Sequence, residues 1–501
     1  MRAAAVFSDH MVLQREKPVA VWGDGRDGRT VTVTLGGYSA SDTVRDGKWR
    51  VTLPPMPAAD GLTMTVRCGA VVRTFHDVAV GEVWLCGGQS NMEYEIRNDA
   101  NGKALLETLS PDCGVRFYYT PKQNVIDENF ERTERKTCWQ TASPEQSGAW
   151  SAVGLYFALE TAKRLGVTVG LIGCNRGGTS AAAWVSRDVL EQDTALHPYL
   201  AEYEAETAGK TADALNAEYD EYAAFQEKYW ARRSKLMQEQ PELTDAQAEA
   251  LLGKDRYPGP MGPKNERRPC GLYETMLMRV CPYTLRGFLF YQGETDENRP
   301  ESYARLLTGL IGCWRRDWED PALPFLFVQL PGYRHPDAPE TDCWCRIREA
   351  QLAVSERVRG TGLAVITDCG SRDHLHPTDK APVGHRLALQ ALCRVYGLIA
   401  QEDACAPVYR TSYPVGNTMV VLIGNADAGF RLTGTPAGFE IAGKDGVYYP
   451  ASAVLERGRI TLTAPEVKAP RYARYAWRGY PEITVYGMNG LPLTPFRTDR
   501  F

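Results

Sequence analysis

Four short stretches of this chain carry the side chains that acyl-transfer chemistry uses. They are GGQSN (87–91), GCNRGGTS (173–180), QGETDENR (292–299) and DCGSRDHLHP (368–377). Together they hold a serine, glycine pairs, side-chain amides, and an aspartate followed by histidines. A hydrolase that forms an acyl-enzyme needs a nucleophile, a base, a group that orients the base, and donors for the oxyanion. This inventory predicts a serine hydrolase.

Ser90 stands where an apolar run ends and a helix-compatible stretch begins, a position at which serine usually caps a helix. Gly87 and Gly88 before it permit a sharp turn and close backbone approach, which favours a nucleophile instead. A nucleophile at a helix N-terminus also gains from the dipole as negative charge develops. The stretch is not G-x-S-x-G, because Met92 stands at the last position, and it has no phosphate-loop pattern with its lysine. Cap and nucleophile are therefore the two interpretations of this serine.

The base must come from seven histidines, and only those of DHLHP follow a predicted strand directly. In the D-x-x-H spacing, Asp373 and His376 project to the same side of a turn, so the carboxylate could hold one imidazole nitrogen while the other faces Ser90. Pro377 biases His376 away from helical backbone. A polar surface loop is the plain alternative, and a metal site that uses His374 lacks further ligands. We expect no metal and no cofactor.

Three groups are predicted to stabilise the oxyanion. They are the backbone N–H of Ser90, the backbone N–H of Gly178 in the Gly177–Gly178 turn, and the side-chain amide of Gln292. Glycine lets the chain approach a small substrate closely at this turn. Other residues of the same loops are expected to support these groups or to contact substrate, although a purely structural role fits them equally: Asn91, Arg176 and Glu294.

Six short apolar runs are predicted to be parallel strands buried on both faces, at 82–86, 115–119, 168–172, 287–291, 325–329 and 363–367. Helix-period stretches lie between most of them, at 151–166, 301–318 and 347–360. The alternation indicates an α/β fold with an open parallel sheet covered on both faces. Ligands collect beyond the carboxyl ends of the strands in such sheets, so the four loops should meet there.

The flanking regions differ from this α/β pattern. Alternating runs and Gly/Asp turns predict a β-sandwich-like domain over residues 1–78, ahead of a catalytic domain over 79–400. A β-rich domain is predicted over 401–501. A charged, Ala/Glu-rich stretch at about 187–265 is a helical insertion in the catalytic domain. Three interpretations of this insertion are open: a solvent-exposed segment, a cover over the active site or an oligomer contact.

Bulk properties exclude several classes of protein. The net charge of −5 gives no reason to expect nucleic acid or an anionic membrane as partner, and no apolar run could span a bilayer. The 13 cysteines include no C-x-x-C spacing, which argues against zinc-ribbon and thioredoxin folds and favours a reducing compartment. The N-terminal apolar run is too short for a signal peptide. We expect a cytoplasmic protein, unless a leader is missing from this numbering.

Ordered sequence blocks resemble the sialate O-acetylesterase family, carbohydrate esterases of the SGNH hydrolase superfamily. The blocks are VLQR (12–15), VWG (21–23) and GEVWLCGGQSNME (81–93); SAVGLYF (151–157) and VGLIGCNRGGTSAAAW (169–184); GLYETML (271–277) and FYQGETD (290–296); HPTDKAPVGHRLAL (376–389); YAW (475–477) and LPLTPFRTD (491–499). The resemblance covers nearly the whole chain apart from the insertion.

The resemblance implies a three-layer, flavodoxin-like SGNH hydrolase core with β-rich accessory regions at both ends. It also implies a Ser–His–Asp triad at Ser90, His376 and Asp373, no metal, and removal of O-acetyl groups from sialic acid. The chain departs from the family where Arg176 precedes the glycine pair in place of the usual Trp, and where His374 stands in place of the usual Asp. Neither change removes a catalytic group.

The alternatives to a sialate esterase are an esterase for another sugar and two proteins of other classes. An esterase for acetyl-xylan or another acetylated polysaccharide would use the same residues. A non-catalytic glycan-binding protein is suggested by the 25 tyrosines and 11 tryptophans, but it gives no reason for D-x-x-H to follow a strand end. A nucleotide-binding protein lacks the required lysine and ribose-binding acid. The predicted partner is therefore an O-acetylated carbohydrate.

Overall fold

The computed structural model describes residues 1–240, 243, 245–335 and 340–499. The insertion predicted over 187–265 and the C-terminal domain predicted over 401–501 each include residues that lie outside this set. Among the described residues, no helix is both long and apolar enough to cross a bilayer. All 13 cysteines fall within the described ranges and are free thiols.

Strands form the N-terminal region, where alternating apolar and polar residues give each strand one buried face. In the strand Thr30–Leu35, for example, the valines and the leucine are buried and the threonines are not. The strands are β1 (Arg2–Ala3), β2 (Val12–Gln14), β3 (Val19–Asp24), β4 (Thr30–Leu35), β5 (Tyr38–Thr43), β6 (Lys48–Leu53), β7 (Ala59–Cys68) and β8 (Val71–Gly88). One sheet has the order β1-β3-β6, and β2, β4, β5 and β7 join a second sheet through β8.

Strand β8 belongs to two regions of the chain. Its first half pairs antiparallel with β7, and its second half, from Glu82 to Gly88, is a central strand of the catalytic sheet. The domain boundary predicted at residue 78 falls inside this strand. A continuous strand therefore carries the N-terminal region directly into the strand end that precedes Ser90.

The catalytic sheet has a parallel centre, as predicted. Its remaining strands are β9 (Val115–Tyr119), β10 (Gln140–Thr141), β11 (Val169–Asn175), β12 (Gly287–Tyr291), β13 (Phe325–Gln329) and β14 (Thr361–Val365). The order is β10-β9-β11-β8-β12-β13-β14, and every neighbouring pair is parallel except β10–β9. The six parallel strands run in the order β9-β11-β8-β12-β13-β14, so β8, which leads to Ser90, is an interior strand.

Helices cover both faces of this sheet. The α-helices of the described residues are α1 (Ser90–Glu93), α2 (Gly102–Thr108), α3 (Glu128–Glu134), α4 (Ala152–Leu165), α5 (Arg187–Gln192), α6 (His197–Thr207), α7 (Ala212–Glu239), α8 (Asp245–Leu252), α9 (Met278–Val280), α10 (Pro300–Asp317), α11 (Cys343–Arg357), α12 (Ala381–Arg394) and α13 (Gln401–Ala404). Cys86 of β8 points towards α4, whereas the next residue, Gly87, lies against Trp314 of α10. Neighbouring residues of a strand face opposite sides, so α4 and α10 lie on opposite faces.

Local sequence signals explain where the predicted helices begin and end. Helix α4 begins where the Ser151 hydroxyl accepts the N–H of Gly154 and ends at Gly166, whose φ is 65°. Helix α10 begins with Pro300, which needs no intrahelical partner at that position. The insertion is helical in its described part, from α5 through α8. These elements confirm the helix-period stretches that the sequence indicates.

The C-terminal region is β-rich and has a hydrophobic core of its own. Its strands are β15 (Val408–Val415), β16 (Thr418–Gly424), β17 (Phe430–Leu432), β18 (Phe439–Ala442), β19 (Tyr448–Pro450), β20 (Ser452–Glu456), β21 (Arg459–Thr463), β22 (Tyr472–Tyr475), β23 (Val485–Gly487) and β24 (Phe496–Arg497). They form sheets of order β15-β16-β21-β20, β19-β18-β22-β24 and β17-β23. The buried Arg348 of α11 donates hydrogen bonds to the carbonyl oxygens of Arg478 and Gly479, which ties this region to the catalytic sheet.

An aromatic cluster fills the space between the sheet and α10. Trp314 is fully buried, its ring centroid lies 5.2–5.7 Å from those of Phe288, Phe290 and Phe325, and its indole N–H donates to the Trp184 carbonyl over 2.8 Å. The cluster lies directly beneath the strand end that carries the glycine pair. It therefore supports the floor of the predicted site.

Trp314→Ala should lower the free energy of unfolding by about 3–5 kcal/mol, because it leaves a cavity and an unpaired carbonyl. Urea denaturation with fluorescence detection measures the loss. Trp230→Ala is the matched control, since the Trp230 side chain is half exposed. An equal loss in both variants would contradict the role assigned to the cluster.

Candidate active site

Ser90 and His376 meet in the structure. Ser90 opens α1 directly after β8, and His376 lies in the loop that follows β14. The distance between Ser90 Oγ and His376 Nε2 is 2.7 Å. The N-cap of α1 is Gln89, and no side chain caps this helix. The Ser90 hydroxyl thus contacts an imidazole rather than a helix N-terminus.

The glycine pair before Ser90 makes this placement sterically possible. Gly88 has a φ of +134°, and a Cβ on it would lie 2.1 Å from the carbonyl oxygen of Tyr291. The next N–H, that of Gln89, donates to the same oxygen over 3.0 Å. The chain can therefore leave β8 at a sharp angle while staying against β12. A side chain at Gly88 would push the turn away from the sheet.

The second glycine pair lies against Ser90. A Cβ on Gly177 would be 3.4 Å from the Ser90 Cβ, so the turn and the serine are in van der Waals contact. The Gly177 N–H donates to Glu93 Oε2 over 2.6 Å, which anchors the turn to α1. The backbone N–H groups of Ser90 and Gly178 have no acceptor among the hydrogen bonds of the described residues. Both groups are free to serve as the predicted oxyanion donors.

In the structure, the side-chain amide of Gln292 forms hydrogen bonds with other groups of the protein. Its side chain is buried, and its amide nitrogen donates to Asp296 Oδ2 over 2.5 Å and to the Thr179 carbonyl over 3.2 Å. Its oxygen accepts from the Tyr303 hydroxyl over 3.0 Å. Because both amide hydrogens have acceptors, Gln292 offers no free donor here. Its oxyanion role stays a prediction that would require one of these bonds to break.

Gln89 is a candidate donor that the sequence analysis did not single out. Its side chain lines the cavity that contains Ser90, and its oxygen accepts the N–H groups of Gly293 and Thr295 at 3.5 and 3.3 Å. Its amide nitrogen has no acceptor among the described residues. An amide beside the nucleophile, held through its oxygen, is suited to oxyanion stabilisation. Adjacency to Ser90 was the signal available in the sequence.

Asp373 does not hold the imidazole in this arrangement. Its side chain is 61% exposed, and its ionic partner is the neighbouring Arg372, with 4.0 Å between Nε and Oδ1. The hydrogen bonds of the described residues include none between Asp373 and His376. The orienting role of Asp373 therefore stays a prediction, and movement of its loop would be needed to bring the carboxylate to the ring.

Asn91 joins the two loops that carry Ser90 and His376. Its amide nitrogen donates to Glu294 Oε1 over 2.6 Å and to the Leu375 carbonyl over 3.1 Å. Its oxygen accepts from Lys380 Nζ over 2.5 Å. Asn91, Glu294 and Lys380 are all buried. Asn91 and Glu294, which the sequence predicts, thus support the site. Lys380 is a further residue of the site, and its only sequence signal is its position four residues after His376.

Burial shifts the pKa values of these groups. The pKa of His376 is lowered, chiefly because the ring is partly desolvated in the wall of the cavity that contains Ser90, and secondarily because of the positive charge of Lys380. Burial lowers the pKa of Lys380 to about 8 and raises that of Glu294. A lowered pKa keeps the imidazole neutral at neutral pH. His376 can therefore accept a proton from Ser90.

A cavity of about 760 Å³ opens above Ser90 and His376. The helical insertion contributes one wall, with the rings of Tyr222, Trp230 and Tyr257. The Tyr257 hydroxyl donates to the Gly178 carbonyl over 3.3 Å, which places the insertion directly on the predicted oxyanion turn. Of the three interpretations of the insertion, the cover over the site is the one that this geometry favours.

Comparisons with known proteins find relatives among the carbohydrate esterases. Residues 264–393 match the family model described as carbohydrate esterase, sialic acid-specific acetylesterase. The sialate O-acetylesterase of Mus musculus is 28% identical over 435 residues, which cover 79% of this chain and 74% of that protein. The sialate O-acetylesterase of Homo sapiens is 26% identical over 430 residues, 79% and 71% of the respective chains.

Structural similarity extends further than the family model. The crystal structure of a carbohydrate acetylesterase from Xanthomonas citri superposes with a TM-score of 0.78 and 26% identity, and the alignment covers 100% of both chains. The two β-rich regions and the insertion are thus included in the match. The chain is a carboxylic ester hydrolase, a carbohydrate esterase that resembles the sialate O-acetylesterases over most of its length.

Proposed function

We propose that this enzyme removes O-acetyl groups from sialic acid through an acyl-enzyme formed on Ser90. The observation that carries the proposal is the 2.7 Å contact between Ser90 Oγ and His376 Nε2 at the strand ends. The similarity to sialate O-acetylesterases supports the choice of ester and of sugar. The mechanism and the sugar are both open to direct tests.

The first step transfers the acetyl group to the enzyme. His376 Nε2 takes the hydroxyl proton while Ser90 Oγ attacks the acetyl carbonyl carbon. The carbonyl oxygen then carries a negative charge, for which the N–H groups of Ser90 and Gly178 and the amide of Gln89 are the available donors. When the tetrahedral intermediate collapses, the C–O bond to the sugar breaks and the imidazolium protonates the departing sugar oxygen.

The second step returns the enzyme to its starting state. Water attacks the acetyl carbonyl, His376 takes a proton from that water, and Ser90 Oγ leaves and regains its proton. Acetate and the deacetylated sugar are the products. Asp373 is retained in the proposal as the group that would hold the other ring nitrogen of His376 during these proton transfers.

The cavity that contains Ser90 has two arginines available to an acidic sugar, and it is also lined by Asp255, Glu266, Glu294 and Glu297. Arg176 and Arg267 line it, and neither side chain has a carboxylate partner among the described residues. By contrast, Arg97 and Arg299 near the site are paired with glutamates at 2.9 and 2.6 Å. A guanidinium binds a carboxylate through two parallel hydrogen bonds, and sialic acid differs from neutral sugars by its carboxylate. The aromatic rings of the insertion could cover the apolar face of the same sugar.

Ser90→Ala and His376→Ala should each lower kcat for p-nitrophenyl acetate by about 10⁶-fold, because the loss of either group removes the acyl-enzyme route. Asp373→Asn should lower kcat by about 10⁴-fold if its carboxylate orients the ring.

A fluorophosphonate should label wild type at Ser90 and leave the Ser90 variant unlabelled. Ser41→Ala, in the exposed strand β5, is the control. Wild-type turnover in Ser90→Ala would show that another residue is the nucleophile.

Gly178→Ala should lower kcat/KM by about 10²-fold, because it displaces one oxyanion donor. A Cβ at this position would lie 2.0 Å from the Tyr257 hydroxyl oxygen, and the φ of +70° strains any other residue. Gly209→Ala is matched to it, since Gly209 has a φ of +75° and nothing within 4 Å of its Cβ. Equal effects of the two variants on kcat/KM would argue against a special role for the Gly178 turn.

Arg176→Gln and Arg267→Gln should reduce selectivity for the acidic sugar. We expect the ratio of kcat/KM for O-acetylated sialic acid to that for p-nitrophenyl acetate to fall about 10–100-fold, the value of a charge-assisted hydrogen bond. Arg97→Gln, which removes a paired arginine, is the control. Faster release of acetate from acetyl-xylan than from sialic acid, with no effect of either arginine, would favour the polysaccharide esterase instead.

A further inference from the structure

The buried lysine that follows His376 has no ion pair among the residues that the structure describes. Lys380 is 1% exposed, and its Nζ has one hydrogen-bond acceptor among the described residues, Asn91 Oδ1 at 2.5 Å. The ammonium lies over the ring of Tyr94, 4.7 Å from the centroid, and 5.9 Å from that of Tyr291. No described carboxylate lies within 4.0 Å of it, and the charges of Glu294 and Asp99 act on it from farther away. Burying an unpaired ammonium is costly, so its position needs a physical explanation.

The acceptor of this lysine is the residue that connects the two halves of the catalytic pair. Asn91 follows Ser90 directly, and the carbonyl that it binds belongs to Leu375, which precedes His376 directly. The third partner, Glu294, is buried, and its second oxygen has no hydrogen-bond partner in the described part of the chain. With its oxygen held by Lys380, the Asn91 amide can only point its nitrogen towards Glu294 and the Leu375 carbonyl. The ammonium thus sets the orientation of the amide.

We infer that Lys380 is a positioning residue of this esterase: through Asn91 it fixes the loop of His376 on the turn of Ser90, and its charge favours the neutral imidazole. The inference rests on the proposed function, because it assigns Lys380 to the same catalytic pair. It also accounts for a site in which no carboxylate of the described residues is hydrogen-bonded to the imidazole. The loop is held by a buried amide, and the neutral state of the base is favoured by a nearby cation.

Other charges surround His376 and must be weighed against that of Lys380. Its own loop carries Asp373, His374 and Asp379, and the walls of the cavity carry Arg176, Asp255, Glu266, Arg267, Glu294, Glu297 and His335. Only burial and Lys380 shift the pKa of His376 appreciably, and both lower it. A positive charge at this position disfavours imidazolium, so the base stays neutral, and the enzyme active, to lower pH.

The test separates the hydrogen bond of Lys380 from its charge. Lys380→Met removes both, whereas Lys380→Gln retains an N–H donor and removes the charge. Lys163→Met, on the exposed side of α4, is the control for the same change in net charge. The pH dependence of kcat/KM for p-nitrophenyl acetate reports the titration of the base in the free enzyme. Thermal unfolding of each variant shows whether it is folded.

We expect the acid limb of the pH profile to move to higher pH in both Lys380 variants and to stay in place in the control. Lys380→Met should also lower kcat by about 10²-fold through misplacement of the base, and Lys380→Gln should lower it less. A role in stability alone would lower the unfolding temperature and leave the acid limb unchanged. An unchanged acid limb in both folded variants would overturn the inference, while wild-type hydrolysis and its loss in Ser90→Ala would still support the proposed function.

A measurement on the wild-type enzyme covers the case in which neither variant folds. NMR titration of ring-labelled histidine, assigned by comparison with His376→Asn, gives the midpoint of His376 directly. We expect it below the ordinary value of about 6.5. A midpoint at or above that value would contradict the charge effect of Lys380.

Discussion

The site depends on one hydrogen bond that joins residues 286 positions apart, between the Ser90 hydroxyl and the His376 ring. Strand β8, which carries Ser90, is separated from β14 by β12 and β13. At about 4.8 Å between neighbouring strands, the loop after β14 must reach back over roughly 14 Å to meet the serine. Such a loop needs an anchor near its end. The buried hydrogen bonds of Asn91 with the Leu375 carbonyl and with Lys380 provide it.

The sheet, the aromatic cluster and the helical insertion each surround this contact on a different side. The catalytic sheet supplies the strand ends, and the aromatic cluster around Trp314 supports them from below. The helical insertion forms a wall of the cavity, so it adds substrate-facing surface without contributing a catalytic group. This division leaves the Ser90–His376 pair at the strand ends, while the insertion lines the cavity above it. The two arginines of the cavity come from different segments of the chain. Arg176 follows β11, and Arg267 follows the insertion.

The sequence was most informative about elements whose cause is local. The apolar runs at 115–119, 287–291 and 325–329 coincide with β9, β12 and β13, because a strand buried on both faces must be continuously apolar. The pairing of Ser90 with His376 followed from strand-end placement. The roles of Asp373 and Gln292 were less accessible, because each depends on a rotamer and a partner. Both side chains have found other partners in the structure, Arg372 for the first and Asp296 for the second.

By itself, the sequence determined the parallel core, the β-rich ends and the similarity to carbohydrate esterases, and it predicted that Ser90 and His376 meet. These properties depend on residue type and periodicity, which are encoded locally. Only the tertiary structure decided that Tyr257 lies on the Gly178 turn and that, among the described residues, the Gln89 amide nitrogen has no acceptor and Lys380 has no ion pair. Each of these depends on which polar groups become neighbours after folding. In a buried site the partner of a polar group, more than its identity, sets its charge and its orientation.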